Sequence, residues 1–457
     1  MKRSVFLVWL WAGTGWVASP APPQKQYIVE TETSDDIQRI SSQYGVNVVQ
    51  TVREKETNIY VVAAPKGSSK KTVAAIQSDP SVRSVTSDDD VQISEDQPGG
   101  FPAATALDPM GASLLSTSTL SYFGSLVRSG YVQQTGTALI QLAQVQQQFP
   151  TGNNIVAVID TGVDPTHPAL ANVLVPGYDF VNNLAGSASE LTGLNQSTVA
   201  ILDQSTVAIL DRKKYPVRLN QSTVAILDQS TVAILDGHLP EAFGHGTMVS
   251  GLIHLVAPTA SIMPLKAFQS DGTAELSNIV AAIYYAVDNG AKVINMSFST
   301  PSPAPVLQQA IDYASGHGVI SVAAVGNEGR EMMVYPAGFH GVIGVESTNR
   351  NDLRSLFSNY FGGESTHLAA PGEALMTTYP GNNYAAVWGT SFSTALVSGA
   401  SALVTDLVPL ATSDYAQLAF DHGLHIGHQE EGGNVRLDLL PTLQYCQQQP
   451  NPVPVDE

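Results

Sequence analysis

Three short stretches, far apart along the chain, carry side chains that could do chemistry together. In NNIVAVIDTGVDPTHPAL, Asp160 stands where the apolar run IVAVI ends. Thr161 and Gly162 then supply an abrupt turn, which delivers the carboxylate at the carboxyl edge of a sheet, where open α/β folds gather their sites. In FGHGTMVSGLI, His245 lies between two glycines at the head of an apolar segment that reads as a buried helix. Glycines on both sides let other chain segments come close to the imidazole. In WGTSFSTALVSGASALV, Ser391 follows Gly-Thr and opens a long run of small apolar residues. Each stretch alone has an ordinary reading: an aspartate capping its turn, a histidine bonded within a core, a serine capping a helix. The alternative for Ser391 is a nucleophile whose neighbouring amides and helix dipole favour the negative charge of acyl transfer.

The elements that must position these groups follow from pattern. IVAVI is a continuous apolar run, as a buried parallel strand requires, and TMVSGLIHLVA and SFSTALVSGASALV are buried helices,. Ahead of them, residues 27–94 alternate between strand and helix. QYIVETE is a strand, SDDIQRISSQYG a helix ending at Gly45, VNVVQTV and NIYVVAAP two strands, SSKKTVAAIQSD a helix and VRSVTSDDDVQI a last strand. That order is β-α-β-β-α-β, a small α+β domain. Residues 95–131, rich in Gly, Pro, Ser, Thr and Ala, read as a linker,. The larger α/β domain is expected over 132–444, with a tail at 445–457.

Composition limits the partners. The 457 residues are 43% hydrophobic, enough for substantial cores, and carry 40 acidic against 21 basic side chains, a net charge of −19,. Such a surface repels nucleic acid and anionic membranes, so neither is an expected partner. Cys446 is the lone cysteine, which excludes an intrachain disulfide and a thiolate metal cluster,. At the start, Lys2 and Arg3 precede VFLVWLWAGTGWVA and then small residues and prolines. This is the order of a secretory signal peptide, assigned to 1–19, and it predicts an extracellular protein with no membrane association after cleavage.

Asp, His and Ser in that chain order, each framed by glycine, fit the subtilisin version of the catalytic triad. The sequence resembles the subtilisin-like serine peptidases over about residues 132–444, through VAVIDTGVDPTHPAL, GHGTMVSGLI, VAPTASIMPLKAF, AAIYYAVDNGAKVINMSF, AAVGNEG and GTSFSTALVSGA. The resemblance implies a subtilisin-like parallel-sheet catalytic domain flanked by helices. It implies that Ser391 attacks the scissile carbonyl, that His245 acts as general base and then acid, and that Asp160 holds the imidazole. Asn327, in VAAVGNEG, matches the family's oxyanion-hole asparagine. NMSFST resembles the strand that lines the primary specificity pocket, so Ser297, Phe298, Ser299 and Gly326 are the expected substrate-binding residues. Ser299 stands where glycine is common; pointing into the cleft it would favour small or medium apolar side chains, pointing away it would do nothing. The small domain then corresponds to a propeptide that assists folding and inhibits the enzyme, or else to a permanent second layer. Protein or peptide substrates and the chain's own propeptide are the implied partners.

QSTVAILD occurs four times between residues 196 and 236, and VAILD looks like VAVID at 156–160. Only in VAVID does Thr-Gly follow the aspartate, so Asp160 keeps the role. From Asp160 to His245 is 85 residues, of which 195–236 make up 42 and leave 43; a subtilisin has about 32. The repeat reads as an insertion into a surface connection, either a β-prone flap over the cleft or a tolerated duplication. After the histidine helix, GLIHLVAPTA passes straight to the next strand. The calcium loop common in the family is missing there, so no metal ligands are assigned, no cofactor is expected for catalysis, and structural calcium is left open. Phe392 and Ala395 replace the family's Met and Pro, both apolar changes. Two rival classes are a secreted serine esterase, disfavoured by the missing G-x-S-x-G around Ser391, and a catalytically silent surface protein.

Overall fold

The structure is a computed structural model that describes residues 25–64, 69–93, 118–186, 188–191, 225–226, 240, 242–361, 367–426 and 435–450. The leader at 1–19 and nearly all of the 195–236 insertion lie outside the described residues.

In the small domain β1 (Gln26–Thr31), α1 (Asp36–Tyr44), β2 (Asn47–Glu54), β3 (Asn58–Ala63), α2 (Ser69–Gln77) and β4 (Val82–Ser87) follow in the expected order. The strands form one antiparallel sheet in the order β2-β3-β1-β4. Strand alternation sorts its two faces. Tyr27, Val29, Tyr60 and Val62 pack with Ile37, Ile40 and Ile76 of the helices, while Ile28 and Ile59 turn the other way into the core of the larger domain. Next, β5 (Asp90–Gln92) leaves the small domain and pairs antiparallel with Thr273–Glu275.

The stretch read as linker is structured from residue 118. There β6 (Thr119–Tyr122) and β7 (Ser125–Arg128) form an antiparallel hairpin, followed by α3 (Ser129–Val132), α4 (Thr135–Leu139) and α5 (Leu142–Gln148). Buried Tyr122 and Tyr131 donate to the carbonyls of Leu255 and Gly251 at 2.6 and 2.5 Å. Small, uncharged residues suit a loop and a short hairpin equally, and two tyrosines decide for the hairpin here.

The larger domain is laid down as β8 (Ile155–Asp160), β9 (Tyr178–Asp179), β10 (Leu184–Ala185), β11 (Ala225–Ile226), α6 (His245–Val256), β12 (Ser261–Lys266) and β13 (Thr273–Glu275). Then come α7 (Leu276–Asp288), β14 (Ala291–Met296), α8 (Pro305–Gly316), β15 (Ile320–Ala324), β16 (Val342–Thr348), β17 (His367–Pro371), β18 (Leu375–Tyr379) and β19 (Asn383–Val387). The chain closes with α9 (Thr390–Leu407), α10 (Ser413–Phe420), β20 (Leu424–His425), β21 (Val435–Arg436) and α11 (Leu439–Gln448). Helix α11 carries buried Cys446, so regular structure continues past residue 444 into the stretch read as a tail.

Ten strands form the main sheet, ordered β10-β9-β12-β8-β14-β15-β16-β17-β21-β20. It is parallel from β9 through β21, with an antiparallel strand added at each edge. Helices cover both faces, because side chains alternate along each strand. Val156 and Val158 of β8 pack with α6 and α9, whereas Ala157 and Ile159 pack with α7 and α8. From β8 the sheet grows to β12 on one side and β14 on the other, which makes the carboxyl end of β8 a switch point,. In the third repeat copy, β11 pairs antiparallel with β19, Ala225 opposite Ala386.

Candidate active site

Asp160 is the last residue of β8 and His245 the first of α6, and both are buried. Their approach depends on glycine. A Cβ on Gly246 would lie 2.0 Å from the carbonyl oxygen of Gly162, so the first turn of α6 abuts the turn after Asp160 only because Gly246 has no side chain,. Gly162 also has φ +109°, where other residues are strained,. The result is a 2.7 Å contact between His245 Nδ1 and Asp160 Oδ1. The same oxygen accepts from the Thr161 N–H at 2.8 Å. An Nδ1 facing a carboxylate must carry the proton, which makes Nε2 the basic nitrogen.

Ser391 is the second residue of α9, an 18-residue helix. Its hydroxyl donates to the Ser297 carbonyl at 3.2 Å, and the Ser297 hydroxyl donates to the Ser391 carbonyl at 3.1 Å. A buried chain supports this exchange: Ser398 donates to Asn295 Oδ1 at 2.8 Å, and Asn295 Nδ2 donates to Ser297 Oγ at 2.9 Å. Phe392, next along α9, sets its ring 5.7 Å from the His245 ring. The two helix starts therefore meet at the carboxyl edge of the sheet.

Asn327 follows the carboxyl end of β15. Its Oδ1 accepts from the Thr390 N–H at 2.9 Å and the Thr390 hydroxyl at 3.0 Å, which fixes which end of the amide is oxygen,. Nδ2 then faces Gly389, where a Cβ would lie 3.6 Å away. Gly326 has φ +91°, and a Cβ there would meet the Ser299 hydroxyl at 3.3 Å. Ser299 is thus turned toward Gly326 and is buried. Phe298 does not offer its ring to a cleft: it is buried in the core against Phe268, at 5.0 Å between centroids. Alternation explains this, since adjacent residues of an extended stretch face opposite ways.

Residues 152–419 match the subtilase family. The chain belongs to that family. Over 175 residues the subtilase is 39% identical to subtilisin BL of Lederbergia lenta, which covers 36% of this chain and 64% of the relative. Thermitase of Thermoactinomyces vulgaris is 31% identical over 282 residues, 60% of this chain and 82% of that protein. Among solved structures the subtilase is similar to fervidolysin from Fervidobacterium pennivorans, a keratinolytic enzyme related to subtilisin. The TM-score is 0.66 at 21% identity, covering 92% of this chain and 61% of that one, a likeness of fold. The match to subtilisin BL spans less than two thirds of that relative's length.

Among the described residues of the subtilase no group of three or more His, Cys, Asp or Glu is placed to hold a metal ion. Helix α6 ends at Val256 and β12 starts at Ser261, so the connection between them is short. No described helix is long and apolar enough to cross a membrane. Sequence reading passed over Asn295, Ser398 and Glu190. The first sits in the quoted NMSFST and the second in STALVSGASALV, where a polar residue on a buried strand or helix asks for a partner. Glu190 offered one signal, a carboxylate in the charge-poor run GSASELTG.

Proposed function

We propose that this subtilase is a secreted serine endopeptidase, made as a precursor whose residues 27–94 inhibit it. The observation that carries the reading is the 2.7 Å contact from Asp160 to His245 Nδ1, which leaves Nε2 as the base on the side of α9. In this mechanism His245 Nε2 takes the proton from Ser391 as Oγ adds to the scissile carbonyl. The Ser391 hydroxyl must first leave the Ser297 carbonyl it now bonds. The tetrahedral oxyanion is received by the Ser391 N–H at the positive end of α9 and by Asn327 Nδ2. The imidazolium, held by Asp160, returns the proton to the leaving amine, and water then hydrolyses the acyl-enzyme by the same steps in reverse.

The precursor reading rests on how the small domain docks. Arg53 of β2 is buried against Asp288 of α7 at 2.9 Å and lies over the adjoining rings of Tyr284 and Tyr313, each 4.5 Å away. Asp88 accepts from the N–H and hydroxyl of Ser277 at 2.9 and 2.8 Å, so a carboxylate of the small domain caps the start of α7,. From there β5 adds to β13 as a strand.

The test treats the mature protein with a serine-reactive phosphonate and offers casein beside a short-chain ester, with Ser391→Ala as control. Labelling with casein cleavage is expected. Labelling with ester turnover alone would make the protein an esterase, and neither would make it catalytically silent. The N-terminus of the active form, read by mass spectrometry, should lie beyond residue 94.

A further inference from the structure

Glu190 is fully buried, yet it belongs to none of the three catalytic motifs. Its Oε1 accepts from the Thr161 hydroxyl at 2.5 Å and from the Gly244 N–H at 2.7 Å. Its Oε2 accepts from the Thr247 N–H at 3.3 Å and from the Thr247 hydroxyl. Thr161 is the residue after Asp160, while Gly244 and Thr247 flank His245. One carboxylate thus joins the turn that ends β8 to the turn that begins α6.

The reason for such a group lies in the glycines. Gly244 precedes α6 with φ +92° and has no side chain with which to cap it, because a Cβ there would lie 2.6 Å from the Tyr379 ring. The unpaired N–H groups of a helix start need an acceptor, and the helix dipole favours an anion there. Glu190 supplies the acceptor from outside the helix; burial pushes its pKa up to about 7, while the hydrogen bonds from Thr161 and Thr247 and the charge of Lys266 favour its ionised form. The network is closed on each side: Thr161 Oγ1 also accepts from the Gly246 N–H at 3.1 Å, and Thr247 Oγ1 from the Asp164 N–H at 2.8 Å. Beneath the same turn, buried Lys266 donates to the Thr161 carbonyl at 2.6 Å and places a cation beside Asp160 and Glu190.

We propose that Glu190 is a positioning residue: its carboxylate clamps the Asp160 turn to the first turn of α6 and so sets the Asp160–His245 contact. This rests on the reading of Asp160, His245 and Ser391 as a peptidase triad. The clamp also accounts for the tolerance of 42 extra residues at 195–236. Residues 188–190 are tied to Val163 by two backbone bonds, Val163 N–H to Ala188 and Glu190 N–H to Val163, each 2.9 Å. The chain is therefore pinned at residues 188–190, before the insertion begins.

The test compares the full chain with Glu190→Gln and Glu190→Ala. Active sites are titrated with a fluorophosphonate, and kcat per titrated site and KM are measured on a peptide substrate. In parallel, the low-field proton resonance of His245 Nδ1–H is recorded. Glu190→Gln keeps the shape and one oxygen, so kcat per site is expected to fall about tenfold, and in Glu190→Ala about 100-fold, with KM within about twofold. The Nδ1 proton resonance should shift in both. Unchanged kcat per site and resonance in both variants would overturn the clamp, even if they melt at lower temperature, since that is a purely structural role. If Glu190→Ala does not fold, Thr247→Val removes one arm of the clamp and must move the resonance in the same direction. A wild type that shows no labelling or turnover, but whose resonance still responds to Glu190, would sink the peptidase reading and leave the clamp standing.

Discussion

Thr390 aims Asn327. Its N–H and hydroxyl both donate to Oδ1, at 2.9 and 3.0 Å, and this commits Nδ2 to the side of Gly389 and the start of α9. A donor held before the reaction starts costs no reorganisation when charge develops. Asn327→Leu is therefore expected to lower kcat by about 10²–10³ with little change in KM, a magnitude taken over from a subtilisin rather than obtained from this geometry. Thr390→Val keeps the N–H bond and loses only the hydroxyl's, so its kcat should fall by less. Steady-state kinetics on one peptide checks both, and an Asn327→Leu enzyme with wild-type kcat would remove Asn327 from the chemistry.

Arg53 is the anchor of the small domain on the larger one. Its Nη2 also bonds Glu56 and Tyr313, each at 2.8 Å, so both Nη nitrogens are paired although the side chain is only 4% exposed, and Nε alone lacks a partner among the described residues. Truncation leaves Asp288 and two aromatic faces without their partner, and such a site costs about 2–4 kcal/mol. In the Ser391→Ala chain, which on the proposed mechanism would not process itself, Arg53→Ala should speed hydrogen exchange along the β2–β3 edge about 30-fold or more. Exchange unchanged by the substitution would show that the apolar contacts of Ile28 and Ile59 hold the domain alone.

What the sequence made legible depended on how local the signal was. Asp160, His245, Asn327 and Ser391 each sit in a motif where glycine permits a sharp turn or a close approach, and those turns leave marks within a few letters. The β-α-β-β-α-β order of the small domain was readable for a similar reason, since alternation and helical spacing are short-range. Glu190 was not, because its partners lie on two segments and no period links a lone acid to Thr161 and Thr247. The orientation of Phe298 was lost in treating NMSFST as one lining stretch, although strand alternation sends its ring into the core. The hairpin at 119–128 escaped because its anchors, Tyr122 and Tyr131, bond to carbonyls of α6 that only the fold brings near.

Ser299 faces Gly326, the geometry that would let it narrow a substrate cleft. The serine hydroxyl lies where a Cβ on Gly326 would almost touch it, so the two residues face each other. If this residue lines the specificity pocket as the family resemblance implies, small or medium apolar residues are expected before the cleaved bond. Ser299→Gly should raise kcat/KM for a bulky aromatic residue relative to alanine by about tenfold, the order expected when one small group leaves a pocket. Peptide libraries cleaved by both enzymes give the ratio. A wild-type preference for Arg or Lys at that position would contradict the assignment.

His254, in the last turn of α6, ties the acid limit of the fold to one buried ring. It packs edge-on to Tyr122 at 5.9 Å between centroids, and neither ring nitrogen finds a hydrogen-bond partner among the described residues. Burial, with His167 nearby, pushes its pKa down to about 4. A free histidine titrates near 6.5, so between those values the unfolded chain takes up a proton that the folded chain refuses. This contribution to stability is fully present above about pH 6.5 and is lost as the pH falls toward 4, a change of up to about 3 kcal/mol. Leucine fits an apolar site of this kind without titrating. Urea unfolding of the wild type and of His254→Leu at pH 7.5 and pH 4.5 should show a smaller acid loss in the variant, by up to that amount. Equal losses in the two proteins would mean that the folded chain protonates His254 as readily as the unfolded one, and that the ring is reached by water in solution.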